Sequence, residues 1–443
     1  MLDGIKNFVF GRFDAAVPVE RSEPVLVCPP TPAPTNLSTR MLEAASPHRG
    51  PGAPVSAHSP WDWSGSIVAG LETVKQRSRH AFTNDQWFGN GVNGIIDHTI
   101  ASGITPNSQA PDQDFRAVVA ERWHRWVDRC DADGLTDFGG QQAAAMQSVV
   151  VDGESYVHMG VTEAGELRLR LLNTDQLDVS LSRDLGNGRV IVNGVEYTAG
   201  VRSGFYVRPM TGPSLTPAAN SVRVDISEVC QVFRPPFVGA VHGISWGASC
   251  LLGLGELGQL TDAMLVAAKV SAMLMGFVID QSNSGGLPFE GQQIGSMLQG
   301  GLEPGTLKVL PAGFDVKFST PQQALAGIEQ AKLSLRGIAA GLGVPEYIVT
   351  GDLSAANYSS LRAARLGFAR RCERFQNHQL IPAFIRPVYR RWLLLELLSG
   401  RIPLNGFVGD AEAWLAADFL TPFWPGSMPR KTPTRKSRSS KLD

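Results

Sequence analysis

The stretch from Leu335 to Arg365, LRGIAAGLGVPEYIVTGDLSAANYSSLRAAR, constrains this chain more than any other. A helix-forming run stops at Gly341 and Gly343. Pro345 bars its continuation, because proline lacks an N–H and its ring collides with the preceding turn. Further on, Asn357, Tyr358, Ser359 and Ser360 offer side-chain oxygens that can open a second helix, and that helix is rich in arginine. A helix, an ordered polar loop and a basic helix place no group for bond-breaking chemistry. The loop is longer than most helix–helix connections, which favours a functional loop presenting Tyr347, Ile348 and Val349 over a plain link.

The rest of the sequence surrounds this stretch with helices and one β-rich region. Residues 18–60 hold ten of the 29 prolines, few aliphatic residues and no periodicity, so they read as an extended arm without a core. Order is expected from Trp61 and Trp63 onward. A helical pattern runs from Leu71 to Ile100, broken at Asn84 and at Gly89-Asn90-Gly91. A second helix, Phe115 to Cys130, carries Trp123, Trp126 and Val127 on one face, and a third spans Asp137 to Val150. Over residues 151–235, short apolar alternations are separated by Asp152-Gly153, Asn187-Gly188 and Asn193-Gly194. Asn-Gly between such runs is a strong hairpin signal, since both turn positions need positive φ. A long helix is expected over Trp246–Asp280, a Gly-, Gln- and Ser-rich stretch over 281–301, and short strands over 302–318 around a Glu-Pro-Gly turn. Helices are expected again at Gln322–Gly341 and Tyr358–Ser399, the latter kinked at Pro382 and Pro387. The fold class is therefore α+β.

Composition excludes several functions. With 40 Lys+Arg against 41 Asp+Glu the net charge is −1, so no overall field draws in nucleic acid, and any DNA contact must be local. The cysteines, Cys28, Cys130, Cys230, Cys250 and Cys372, are odd in number and far apart. That fits a reducing cytoplasm better than disulfides or zinc. MLDGIKNFVFGRFDAA is too polar for a signal peptide. Ala263–Ile279 is apolar but short, with Lys269 near its centre, and reads as a helix packed on protein, not in a membrane.

Tyr358–Arg391 carries arginines 362, 365, 370, 371, 374, 386, 390 and 391 against the single acid Glu373. They could meet nucleic-acid phosphates, or acids on a neighbouring subunit, since they do not share one face. Ser155, within Val151-Asp-Gly-Glu-Ser-Tyr156, lacks the Gly-x-Ser-x-Gly elbow and a histidine in a recognisable triad position. Asp131-x-Asp133-Gly134 lacks the later ligands of a calcium loop, so a helix end with an N-cap at Thr136 or Asp137 is the better reading. No cofactor or metal motif is found. The tail from Pro429 to Asp443 carries six basic residues, suited to touching DNA or simply to keeping the chain soluble.

Several stretches, in order and at the expected spacing, resemble the lambda-like family of tailed-phage portal proteins over about Trp61 to Trp424. They are Arg77-Ser-Arg-His-Ala, Gly103-Ile-Thr-Pro106, Trp123-x-x-Trp126 with Cys130-Asp-Ala-Asp-Gly134, and Val151 to Tyr156. Leu172-Asn-Thr-Asp175-Gln-Leu-Asp178, His242-Gly-Ile-Ser-Trp246, Leu302-Glu-Pro-Gly-Thr306 and the Leu335–Arg365 stretch complete the series. The resemblance implies a homo-oligomeric ring of about twelve subunits with wing, stem, clip and crown. It implies an arm over residues 1–60, a wing over 61–245, stem helices over 246–280 and 322–341, and a clip over 281–321. A tunnel loop over 342–357, a long kinked wing helix over 358–399 and a reduced crown with a basic tail over 400–443 complete the assignment. Val344, Glu346, Tyr347, Ile348, Val349, Asp352 and Asn357 would then face the DNA channel. Arg362, Arg365, Arg370, Arg371 and Arg374 would touch DNA or a neighbouring subunit, and Glu303, Pro304, Gly305 and Lys308 would dock the motor or adaptor. The implied partners are double-stranded DNA held without sequence preference, the major capsid protein, scaffold, the terminase large subunit and a head–tail adaptor. The implied site is the portal vertex of a virion assembled in the bacterial cytoplasm. The chain departs from the family after Trp424, where a short basic tail stands in place of further crown residues. Alternative functions are a hydrolase using Ser155 or Ser354, and a monomeric head–tail adaptor.

Overall fold

The structure, a computed structural model, describes residues 63–211, 216–272, 276–279, 292–294, 297–299, 307–310, 322–354, 357–403 and 411–422. The expected arm, the basic tail and most of the expected clip and crown lie outside them, with Glu303, Pro304 and Gly305.

Helix α1 (Trp63–Asn84) ends at Asp85, whose carboxylate accepts the Phe88 N–H at 2.8 Å and so caps α2 (Gln86–Thr99). The expected second break at Gly89-Asn90-Gly91 does not occur. A helical glycine costs only about 1 kcal/mol, and these positions are used for close packing. Strand β1 (Thr105–Ser108) leads to α3 (Gln113–Val127), capped by Asp112, and α4 (Phe138–Val151), capped by Asp137.

The expected β-rich region begins directly after α4. Strands β2 (Glu154–Val161) and β3 (Leu167–Leu172) pair antiparallel and lead into a 3-10 turn at Thr174–Gln176. Strands β4 (Arg183–Gly186), β5 (Arg189–Val192), β6 (Val195–Thr198) and β7 (Val201–Val207) form a meander, with β8 (Val222–Asp225) added beyond β7. Strand β9 (Val229–Phe233) returns to β2, giving a three-stranded sheet in the order β9-β2-β3. Both Asn-Gly turns have positive φ at both residues, 54° and 72° at 187–188 and 49° and 80° at 193–194. A third turn of the same shape, Ala199-Gly200, puts an alanine at φ 50°. It carries no Asn or Asp to announce it.

The helix expected over 246–280 is shorter at both ends. Residues 246–250 are turns, α5 covers Leu251–Ala272, and β10 (Gly276–Ile279) comes next. A hairpin of β11 (Gln292–Ile294) and β12 (Met297–Gln299) precedes β13 (Leu307–Leu310), which contains Lys308 and runs parallel to β10. By length and composition α5 would suffice to cross a membrane over 251–269, but Glu256 and Asp262 within it would be costly there. It lies beside α6 (Gln322–Leu342). Leu265 and Val266 of α5 and Ile328 and Leu333 of α6 stay exposed.

Helix α7 (Glu346–Thr350) is succeeded by α8 (Tyr358–Phe375), a π-helical segment (Gln376–Ile385) and α9 (Arg386–Leu398). The π segment contains Pro382. Its wider turn absorbs the missing N–H and the ring clash, so the expected kink takes the form of a π segment. Pro387 falls in the first turn of α9. Helix α10 (Ala411–Trp414) and β14 (Ala417–Leu420) close the described chain, with β14 antiparallel to β1.

One large core joins α2, α3, α4, the three-stranded sheet, the inner ends of α5 and α6, and the π segment with α9. At its centre Trp123 meets Trp126 at 4.7 Å, Trp392 at 4.9 Å and Phe138 at 5.4 Å between ring centroids. A smaller core beneath the five-stranded sheet holds Tyr156, Leu177, Val195, Phe205 and Val207. Trp392 is 1% exposed, so Trp392→Ala should destabilise the fold by about 3–5 kcal/mol. The shift in denaturant midpoint measures it.

Candidate functional site

Four stretches far apart in the sequence converge on one polar knot. Arg79, in α1, donates from Nε and Nη2 to the two Asp152 oxygens at 2.8 and 2.9 Å, and from Nη1 to Asp175 at 2.6 Å. Its Nη2 also reaches Thr174 Oγ1 at 2.9 Å, and Thr174 in turn donates to Asp152 at 3.0 Å. Lys75, one helical turn earlier and almost fully buried, pairs with Asp175 at 3.0 Å. Burial works against ionisation of Asp175, but Arg79 and Lys75 outweigh it and hold its pKa below the ordinary carboxylate value. Ser78, between them, shares a 2.9 Å hydrogen bond with Ser245.

Beside this cluster, Glu154 and His242 are each 3% exposed and contact at 3.2 Å. Gln231 donates to Glu154 at 3.0 Å and to Tyr156 Oη at 3.1 Å. Gly153 stands where the turn before β2 touches the connector into α5. Its φ is +100°, and a Cβ there would lie 2.6–2.8 Å from Ile244 and Ser245 backbone atoms. No side chain fits. Arg208 pairs with Asp178, tying the 3-10 turn to the five-stranded sheet.

The second arrangement is the expected loop. Gly343 (φ +76°) ends α6, and Arg371 of α8 donates to its carbonyl at 2.6 Å. Arg336 and Glu346 make an exposed ion pair at 3.0 Å. The segment after Gly343 does not project as an open loop. Ile348 (8% exposed) and Val349 (1%) face α2, and Val344 is buried too. Asn90 Nδ2 donates to Ile348 O at 2.8 Å and Val349 O at 3.0 Å. A Cβ at Gly91 would come 2.7 Å from Leu342 Cδ1, and one at Gly94 would overlap Ile348 Cγ2. These two glycines form the notch that seats α7. The expectation that Val344, Ile348 and Val349 face outward is thus corrected, because an apolar Ile-Val pair gains more from burial than a loop tip offers. Glu346, Asp352 and Asn357 are exposed and Tyr347 is half-buried. The accessible part begins at Gly351 (φ +69°), and Asn357 caps α8 in a reciprocal pair with Ser360.

The arginine run divides by role. Arg386 lies over Phe419, Arg390 pairs with Glu412 and Arg391 donates to Ser227 O, all within the chain. Arg371 secures Gly343. Arg362, Arg365, Arg370 and Arg374 are exposed. The first half of α8 is exposed almost all round, whereas its second half buries Phe368, Ala369, Cys372 and Phe375.

Neither the hydrolytic nor the calcium reading finds a geometry. Ser155 is 1% exposed, and its hydroxyl has no partner among the described residues. Ser354 is held by Asp352 through its backbone N–H at 2.8 Å. Asp131 accepts backbone N–H groups from Asp133, Leu135 and Thr136 at 2.8–3.1 Å, which outweigh burial and keep its pKa low. It shapes the turn into Asp137, the N-cap of α4. No group of three or more potential metal ligands occurs among the described residues.

Residues 58–376 match the family described as phage portal protein, lambda family. The chain belongs to that family, and its function is that of a portal protein. No curated protein matches the sequence. Among solved structures, the chain is similar to one in the neck of a native GTA particle determined with C12 symmetry. Identity there is 16%, the TM-score 0.41, and the match covers 79% of this chain and 93% of that one. It is also similar to an HK97-family phage portal protein from Corynebacterium diphtheriae, at 12% identity and a TM-score of 0.33, covering 78% and 94%. With these low scores the assignment rests on the sequence match.

The geometry dictates two outcomes. Arg79→Met leaves two carboxylates facing Lys75 alone, and should cost about 2–4 kcal/mol of unfolding free energy, read from a denaturant titration. Asn90→Ala strips both carbonyls of α7 of their donor. Amide exchange over 344–350 should speed up by about five- to thirtyfold, as a loss of about 1–2 kcal/mol dictates.

Proposed function

We propose that the chain assembles into a closed ring of about twelve copies that forms a channel for double-stranded DNA during packaging and ejection. The observation that carries this reading is the pair of long helices α5 and α6, side by side, with Leu265, Val266, Ile328 and Leu333 left to solvent. A single chain gains nothing from this exposure, and a neighbouring copy would cover it. In this reading α5 and α6 are the stem and residues 281–321 the clip, where Glu303, Pro304, Gly305 and Lys308 meet the terminase large subunit and then the head–tail adaptor. Residues 61–245 and 358–399 are the wing, and residues from 400 onward a reduced crown. Major capsid protein and scaffold meet the ring as the capsid assembles in the bacterial cytoplasm, and the ring stays at the portal vertex of the virion. The role is structural, not enzymatic.

The channel must let duplex DNA slide, so its contacts have to be few and weak. A chain of net charge −1 suits this, because dense phosphate neutralisation would hold the duplex in place. Of the expected channel residues, Glu346, Tyr347, Asp352 and Asn357 remain accessible to meet the DNA. The exposed Arg362, Arg365, Arg370 and Arg374 supply contact with it or with acids on the next copy.

Shortening the chain between Gly351 and Asn357 should leave ring formation intact, since α7 stays seated on α2. Packaging or retention of DNA should fall severalfold. Protected DNA per particle measures it, and normal packaging and retention by the shortened chain would rule the loop out.

A further inference from the structure

Two acceptors flank the buried imidazole of His242. Nε2 lies 2.9 Å from the carbonyl oxygen of Asn193, and Nδ1 lies 3.2 Å from both oxygens of Glu154 and 3.5 Å from Tyr156 Oη, whose O–H is directed to Glu154. A carbonyl can only accept. Glu154 already accepts from Gln231 at 3.0 Å and from Gly243 N–H at 3.4 Å, and it faces the positive charge of Lys75, so it too is an acceptor. A neutral imidazole carries one N–H and would turn a lone pair toward one of these oxygens. Only the imidazolium, with two N–H groups, satisfies both.

The two acceptors belong to different sheets. Glu154 opens β2 of the three-stranded sheet, and Asn193 forms the β5–β6 turn of the five-stranded sheet. His242 itself lies on the connector between β9 and α5. We propose that the proton on His242 is a pH-sensitive latch, clamping the connector into α5 onto both sheets while present and releasing the His242–Gly243 stretch when lost. Ser245 and Trp246, bonded to Val150 O at 3.2 and 3.0 Å, hold the next residues independently, so the release is local.

The charges around the latch set its range. Facing His242 are Glu154 and Tyr156 of β2 and Lys75 of α1, while Arg202 of β7 lies near Tyr156. Burial and Lys75 favour the neutral ring. Glu154 and the Asn193 carbonyl more than reverse this, so the imidazolium persists above the ordinary value of 6.5. A group with a raised folded pKa contributes all of its stabilisation below 6.5, and that contribution is lost as pH rises to and through the raised value. Glu154 has the opposite sense. Its pKa is lowered, so its contribution is present above 4.5 and is lost as pH falls through the lowered value.

Amide exchange of the full chain, corrected for intrinsic rates across roughly pH 5.5–9.5, reads the latch directly. The opening constant of peptides covering 238–244 should be flat up to 6.5, rise by up to about tenfold per pH unit toward the raised value, and then level off. His242→Gln, which cannot gain or lose a proton, should show no such rise. Glu154→Gln, which leaves the ring without its counter-charge, should shrink or abolish the rise, because its lower end is fixed at 6.5 by the open state, and serves if the first variant does not fold. A flat profile in the unaltered chain, or the same rise in His242→Gln, would overturn the proposal. Because the readout is local to the connector, it does not depend on whether the chain forms a ring.

Discussion

The contact between Arg79 and its two aspartates fixes how the helical and β parts of this chain meet. Asp152 ends α4 and Asp175 sits in the 3-10 turn after β3, so one guanidinium holds a helix and both ends of a hairpin at once. A guanidinium does this well, because its fork can bind one carboxylate through two nitrogens and still reach a second. The geometry leaves little room for variation around it. Gly153 can carry no side chain, and Ser78 and Ser245 must meet directly. The connector that leads from the sheets into α5 is thereby fixed at the same point where the three-stranded sheet begins.

The rest of the architecture builds outward from that knot. The large core stacks α3, α4 and α9 through a tryptophan cluster. The wider turn of the π segment carries Phe384 and Ile385 fully into it. On the other side α2 offers a notch of two glycines and a single amide donor, which seat α7 and with it the end of α6. The segment before Gly351 is thus part of the body, and residues 352–354 and 357–360 after it are exposed. The proposed channel needs a rigid frame and one short segment free to meet DNA, and this division places the boundary between them at a left-handed glycine.

Local signals are legible in the sequence. Asp137 as a cap, the Asn-Gly turns, the irregularity at Pro382, the apolar face around Trp123 and the helix–loop–helix at 335–365 each depend on a few neighbouring residues. The hidden features depend on partners far along the chain. Gly89-Asn90-Gly91 reads as a break, because its use as a notch for Ile348 appears only when α7 arrives from more than 250 residues away. Ala199-Gly200 lacks a turn signature because the sheet imposes the turn. The stretches Arg77 to Ala81, Val151 to Tyr156, Leu172 to Asp178 and His242 to Trp246 stand out in the sequence as an ordered series. Their meeting at one buried knot does not, since no spacing rule predicts which charges pair across 73 or 96 residues.

The central claim is that this subunit works only as one copy in a ring, with the exposed apolar side of α5 and α6 covered by its neighbour. Electron-microscope images of the purified protein, combined with its mass in solution, test this most directly. The account predicts closed rings of about twelve copies around a hole wide enough for duplex DNA, roughly 20 Å or more across. A uniform monomer, both alone and in the presence of its scaffold, would contradict it.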